Sequence, residues 1–93
     1  MIYAYAKLTV TNPDKLAQYR EKAGEALSKH GGKVEAATGA LTILDGTPDI
    51  PDVAALLSFP NADAAQAWIN DPDLANIHAM RRGAGASDIV LLG

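Results

Sequence analysis

The chain has 93 residues, a formal net charge of −3, 48% hydrophobic residues and no cysteine. That length fits one domain over residues 1–93, and the missing thiols exclude both a disulfide framework and cysteine chemistry, nucleophilic or metal-binding. The basic residues are scattered and form no phosphate-tracking stripe, and no apolar run reaches the roughly 20 residues that span a bilayer, so neither nucleic acid nor a membrane is an expected partner.

The opening stretch, "MIYAYAKLTV", lacks the basic start and small-residue cleavage site of a signal peptide. Together with the absence of cysteine this predicts a cytoplasmic location. The same stretch alternates: Ile2, Ala4, Ala6, Leu8 and Val10 face one way, Tyr3, Tyr5, Lys7 and Thr9 the other. A period of two marks a strand. "TNPDKL" then supplies a helix start, with Asn12 as cap and Pro13 at the first helical position. Leu16, Tyr19, Ala23, Ala26, Leu27 and His30 recur on one face of that helix, and Gly31–Gly32 stops it.

"KVEAATGALTILD" reads as a strand bent or bulged near Gly39. "GTPDIPD" is a loop and "VAALLSF" a short apolar strand. Asn61 can cap a short helix carrying Ala65, Trp68 and Ile69. Asp71–Pro72 starts another, and "SDIVLLG" is a last strand. The order predicts an α+β, ferredoxin-like βαββαβ domain: a four-stranded antiparallel sheet with both helices on one face and the second helix split in two at Asp71–Pro72.

Such a fold leaves one sheet face uncovered, and in a monomer that face should be polar. Here the third and fourth strands are apolar on both sides: Leu57 and Phe59 against Ala54 and Leu56, Ile89 and Leu91 against Val90 and Leu92. Tyr3 and Tyr5 join whichever side the helices leave bare. A contiguous apolar face predicts a partner, and the simplest is a second copy of the same sheet, packed face to face around a barrel-like space. The competing reading is a monomer whose short strands are apolar on both sides without consequence.

The densest polar chemistry is "NIHAMRRGAG". At about 100° per residue, Ile77, Met80 and Ala84 form an apolar arc with Leu74. Arg81 falls inside that arc, His78 on its edge, and Arg82 points to solvent. A guanidinium directed inward needs an anion or several acceptors. Arg81 therefore either lines the inter-sheet cavity and holds a carboxylate or enolate-like oxygen, or snorkels out to pair with Glu25 or Asp88. His78 is a general-base candidate at the cavity mouth, set against a merely solvated helix histidine. Tyr3 and Tyr5 are the remaining ligand-facing candidates, against plain dimer packing. Tyr19 and Trp68 read as core.

His30 ends the first helix, where a capping role outweighs haem ligation, which leaves haem as a remote cofactor option. The two histidines lack metal-site spacing, so no metal is expected. No nucleophile elbow, phosphate loop or dinucleotide fingerprint is present.

Taken together, "YREKAGEALSKHGGKV", "LLSFPNADAAQAW", "DPDL", "AMR" and "SDIVLLG" resemble the domain-of-unknown-function 1330 family of the dimeric α/β-barrel superfamily. The likeness covers nearly the whole chain. It implies a ferredoxin-like homodimer, in a superfamily that holds cofactor-free monooxygenases, isomerases, haem-dependent enzymes and proteins with no known reaction. Where family members often carry Arg-Gly-Gly, this chain has Ala37, Thr38 and Gly39. Ile69 and Leu74 stand where aromatics are usual. The resemblance so implies a more apolar cavity in which Arg81 is the one matching charged position. The expectation is a small homodimer that binds a small organic molecule with an apolar body and an acidic or carbonyl oxygen, either as a cofactor-independent enzyme or as a non-catalytic binding or dimerisation module.

Overall fold

The computed structural model describes residues 1–93. Strand β1 (Ile2–Val10) runs into helix α1 (Pro13–Ser28), whose start is closed by the Asn12 side chain accepting the Lys15 N–H at 3.1 Å. The helix stops because Gly31 takes a φ of 73°, which lets the Gly32 N–H turn back onto the Leu27 carbonyl at 2.8 Å. Gly32 itself must be small: a Cβ there would lie 2.9 Å from the Phe59 ring.

Strands β2 (Lys33–Thr38) and β3 (Val53–Phe59) follow, then helix α2 (Ala62–Asn70), a 3₁₀ turn over Pro72–Leu74, helix α3 (Ala75–Ala84) and strand β4 (Gly85–Leu92). Asn61 caps α2 through the Ala64 N–H at 2.8 Å, and Asp71 caps the 3₁₀ turn through the Asp73 N–H at 2.9 Å. The second helix is thus split at Asp71–Pro72, as the proline requires. The four strands form one antiparallel sheet in the order β2-β3-β1-β4, with the helices across one face. This is the ferredoxin-like arrangement.

Two strand boundaries differ from the pattern in the sequence. β2 ends at Thr38 instead of running on to Asp45, and its irregularity falls between Val34 and Ala36, not at Gly39. The reason is the ladder: β3 begins only at Val53, so residues beyond Thr38 have no strand to pair with. The connection instead reaches β1 through Asp52, whose N–H donates to the Leu8 carbonyl at 3.1 Å and whose carboxylate accepts the Val10 N–H at 2.8 Å. β4 starts at Gly85, earlier than "SDIVLLG" suggests, because α3 turns into it without a loop. The Thr11 and Asn12 N–H groups both donate to the Ala84 carbonyl there, and any Cβ on Gly85 would overlap the Thr9 carbonyl oxygen.

The core lies between the sheet and the helices. Ala4, Leu57 and Phe59 from the sheet meet Leu27, Trp68 and Leu74 from the helices, and Leu8, Leu16 and Ala84 close a smaller cluster at the other end. On the opposite face, β1 register sets Tyr5 between Leu56 and Val90, and Tyr3 between Ser58 and Leu92. Tyr3, Tyr5, Leu56, Val90 and Leu92 are all exposed. The uncovered face is therefore largely apolar, with polar ends. At one end the Ser58 hydroxyl donates to Glu35 at 2.8 Å and Lys33 approaches the same carboxylate at 3.4 Å; at the other, Lys7 stands beside Asp88 in register.

Candidate functional site

The apolar arc of α3 turns inward against the sheet, and the chain's one buried arginine rides on it. Arg81 is 6% exposed and His78 2%, while Arg82 is exposed. The difference between the neighbouring arginines is the one that helical spacing predicts. The partners are not those expected. The ion pairs of the protein are Lys29 with Asp71 and Asp73, His30 with Asp71, and Lys33 with Glu35. Arg81 pairs with neither Glu25, which is exposed on α1, nor Asp88, which lies on the far face of the sheet.

In place of a carboxylate, Arg81 has neutral company. Its Nε–H donates to the Ser87 hydroxyl at 3.2 Å and Nη1 donates to His78 Nδ1 at 2.7 Å. Its guanidinium carbon sits 5.5 Å from the centroid of Trp68 and 5.8 Å from that of Tyr19. Nη2 has no acceptor in the chain, although a guanidinium is donor only and cannot shed its proton.

The partners of His78 settle its state. A guanidinium can only donate, so Nδ1 must present a lone pair; a carbonyl can only accept, so Nε2 must carry the proton it gives to the Trp68 carbonyl at 2.9 Å. The ring is neutral. Burial holds its pKa below the ordinary histidine value, the charges of Arg81 and Arg82 push the same way, and the Trp68 carbonyl opposes them only in part. With both nitrogens engaged, His78 has no lone pair free to take a proton from a ligand. It stands deep in the core, not at a cavity mouth, and its geometry orients Arg81.

The four residues expected to share one inter-sheet space lie on two faces. Arg81 and His78 are on the helix side, Tyr3 and Tyr5 on the uncovered side, and the sheet separates them. Two cavities flank the guanidinium instead. One of about 350 Å³ lies under α1, walled by Leu16, Tyr19, Ala23, Val53 and Leu57 with Arg81 at its edge. The other, of about 290 Å³, lies between α2, α3 and β4 and includes Trp68, Arg82 and Ser87. No carboxylate lines either one.

His30 joins another cluster. Its Nε2 lies 2.8 Å from Asp71, which Lys29 also meets at 2.7 Å, so the end of α1 is tied to the break between α2 and α3. The hydrogen bond from Lys29 holds the Asp71 carboxyl far below the usual range, helped by those from His30 and the Asp73 N–H. Sequence reasoning missed Ser87, Tyr19 and Trp68 as neighbours of the buried charge. The three-residue spacing of His78 and Arg81 on one helix was the available signal for their pairing. Nothing in sequence signals Ser87, which tertiary packing alone brings to the guanidinium.

The four-stranded antiparallel sheet with its helices on one face places the chain among ferredoxin-like domains. The chain belongs to the family described as Domain of unknown function (DUF1330), whose model matches residues 1–93. No curated protein matches it. Among solved structures, the methylated RPA0582 protein, known from Rhodopseudomonas palustris as a protein of unknown function, superposes with a TM-score of 0.75 at 22% identity, covering 98% of this chain and 78% of that one. A dimeric ferredoxin-like protein of unknown function from Jannaschia sp. CCS1 gives 0.73 at 13% identity, over 99% and 97% of the two chains. SnoaB of Streptomyces nogalater, a cofactor-independent oxygenase, gives 0.67 at 16% identity, over 99% and 90%. These likenesses show a shared fold. No helix is long and apolar enough to cross a membrane.

Proposed function

We propose that the protein binds a small, mostly apolar organic molecule in the cavity under α1, with a carbonyl or acidic oxygen on Arg81. The observation that carries this is the guanidinium itself: largely buried, without a carboxylate, with Nη2 unpaired, on a residue that borders an apolar cavity of about 350 Å³. A largely buried cation without a counter-ion gains from a ligand oxygen that joins its shell. The binding site moves from between two sheets to within one subunit. The uncovered sheet face, with Tyr3 and Tyr5, is assigned to self-association into a cytoplasmic homodimer; dimeric structural relatives support that assignment.

An enolisable ligand held there is shifted toward its enolate, because a fixed cation favours the anion in a water-poor site. Reactivity toward a proton or dioxygen then resides in the ligand, so the reaction class is cofactor-independent. SnoaB, which shares the fold and is a cofactor-independent oxygenase, supports that class. Haem has no part in this reading, since His30 is engaged with Asp71.

Naphthol is a suitable probe, because its absorbance separates phenol from phenolate. Bound naphthol should titrate about 1–3 units below its free value. Arg81→Met should erase that shift. Failure of naphthol to bind, or a shift that survives the substitution, removes the assignment. A second reading has one specific observation in its favour: two hydrogen bonds and two aromatic rings already hold Arg81, as a structural strut in a non-catalytic module would be held. That strut predicts a large stability loss in Arg81→Met and no naphthol shift to erase.

A further inference from the structure

The second cavity differs in kind from the one under α1. Its polar lining holds two cations, the Arg81 and Arg82 guanidinium groups, beside the Gln66 amide and the Ser87 hydroxyl, which can each donate, with no carboxylate among its residues. The Ser87 oxygen already accepts from Arg81, which leaves its own hydrogen to give. Trp68 also lines this cavity, and its indole N–H is the one buried side-chain polar atom in the protein without a hydrogen-bond partner. Trp68 is 3% exposed, so water does not satisfy that donor. Natural proteins seldom leave such a group unpaired, because it costs about 1–3 kcal/mol. Two cations and a free hydroxyl hydrogen around one space, with no carboxylate to answer them, share a single need, which is an acceptor carrying negative charge; the enclosed indole N–H lies in the wall beside them.

We infer that the cavity between α2, α3 and β4 is a binding site for a compact carboxylate. Arg82 attracts it from the open side, Arg81 and Ser87 bind it, and the Trp68 ring walls the space beside them. The carboxylate is either a free small acid or the acid end of the molecule whose body lies under α1, since Arg81 borders both spaces. The site goes beyond the reading of the α1 cavity and does not depend on naphthol binding there.

The chain has one tryptophan, so its indole N–H gives a single proton–nitrogen resonance in the intact protein. Titration with acetate should move that resonance saturably, and chloride at matched ionic strength should not. Ser87→Ala and Arg82→Gln, neither of which removes a core group, should each weaken acetate about tenfold, the loss expected for one charge-assisted contact. If acetate and naphthol bind together, the site takes a free acid. If naphthylacetate binds more tightly than either and displaces acetate, the site takes the acid end of one ligand. An unmoved resonance, an equal response to chloride, or unchanged acetate affinity in both variants overturns the site. Loss of naphthol binding with acetate binding intact removes only the reading of the α1 cavity.

Discussion

The two faces of the sheet are both rich in apolar side chains, yet they live in different surroundings. On the helix side Ala4, Leu57 and Phe59 are buried to within 5% of full burial. On the other side Tyr3, Tyr5, Leu56, Val90 and Leu92 keep 37–55% of their surface in water. The protein's buried cation lies on the first face, and the Lys33–Glu35 ion pair and the Lys7–Asp88 register neighbours lie on the second. Apolar character therefore does not show which face could enclose a ligand. A face covered within the subunit can enclose a charge and shape a cavity around it, whereas an open face offers area for another surface.

Substitutions can break this contrast. The largest effect should come from Gly85→Ala, which leaves both faces intact in composition but drives a Cβ into the Thr9 carbonyl where α3 becomes β4. Unfolding in denaturant should show a loss of about 3 kcal/mol or more, as for severe overpacking. Next is the open face. Leu56→Lys should weaken self-association about a hundredfold in sedimentation while each subunit keeps its helical circular dichroism; an unaltered association constant would take the interface away from that face.

Arg81→Met sharpens the contrast from the covered side. Removing the cation relieves its desolvation but orphans His78 Nδ1 and the Ser87 hydroxyl, so stability should change by only about 1 kcal/mol. A loss of about 3–5 kcal/mol would mark the guanidinium as a strut. The smallest effect is linked to acid. The folded state favours neutral His78, so its contribution is complete above the unfolded histidine pKa of about 6.5 and falls as pH drops below it. The Asp71 carboxylate keeps its contribution through that window, because its pKa is depressed and is lost only below the ordinary carboxylate range. Stability should therefore decline between about pH 6.5 and 5, and His78→Gln, which can still face both the Trp68 carbonyl and Arg81, should flatten that slope.

Much of the fold was legible along the chain because its signals are local. The Asn12 and Asn61 caps, the Gly31–Gly32 stop, the break at Asp71–Pro72 and the alternation of β1 each depend on neighbours a few residues away. The inward turn of Arg81 and the outward turn of Arg82 follow from helical spacing alone. The end of β2 was not legible, since it is decided by where β3 begins.

The residues by themselves determined the order of strands and helices, the two apolar faces and the one arginine that must lie inside. Only the tertiary structure decided that Tyr3 and Tyr5 stand across the sheet from that arginine, that neutral His78 and Ser87 replace a carboxylate beside it, and that Trp68 keeps an unanswered N–H. The physical reason is range. Periodicity and capping act within a few residues, whereas the neighbours of a buried charge are chosen by elements that meet only when the helices close over the sheet.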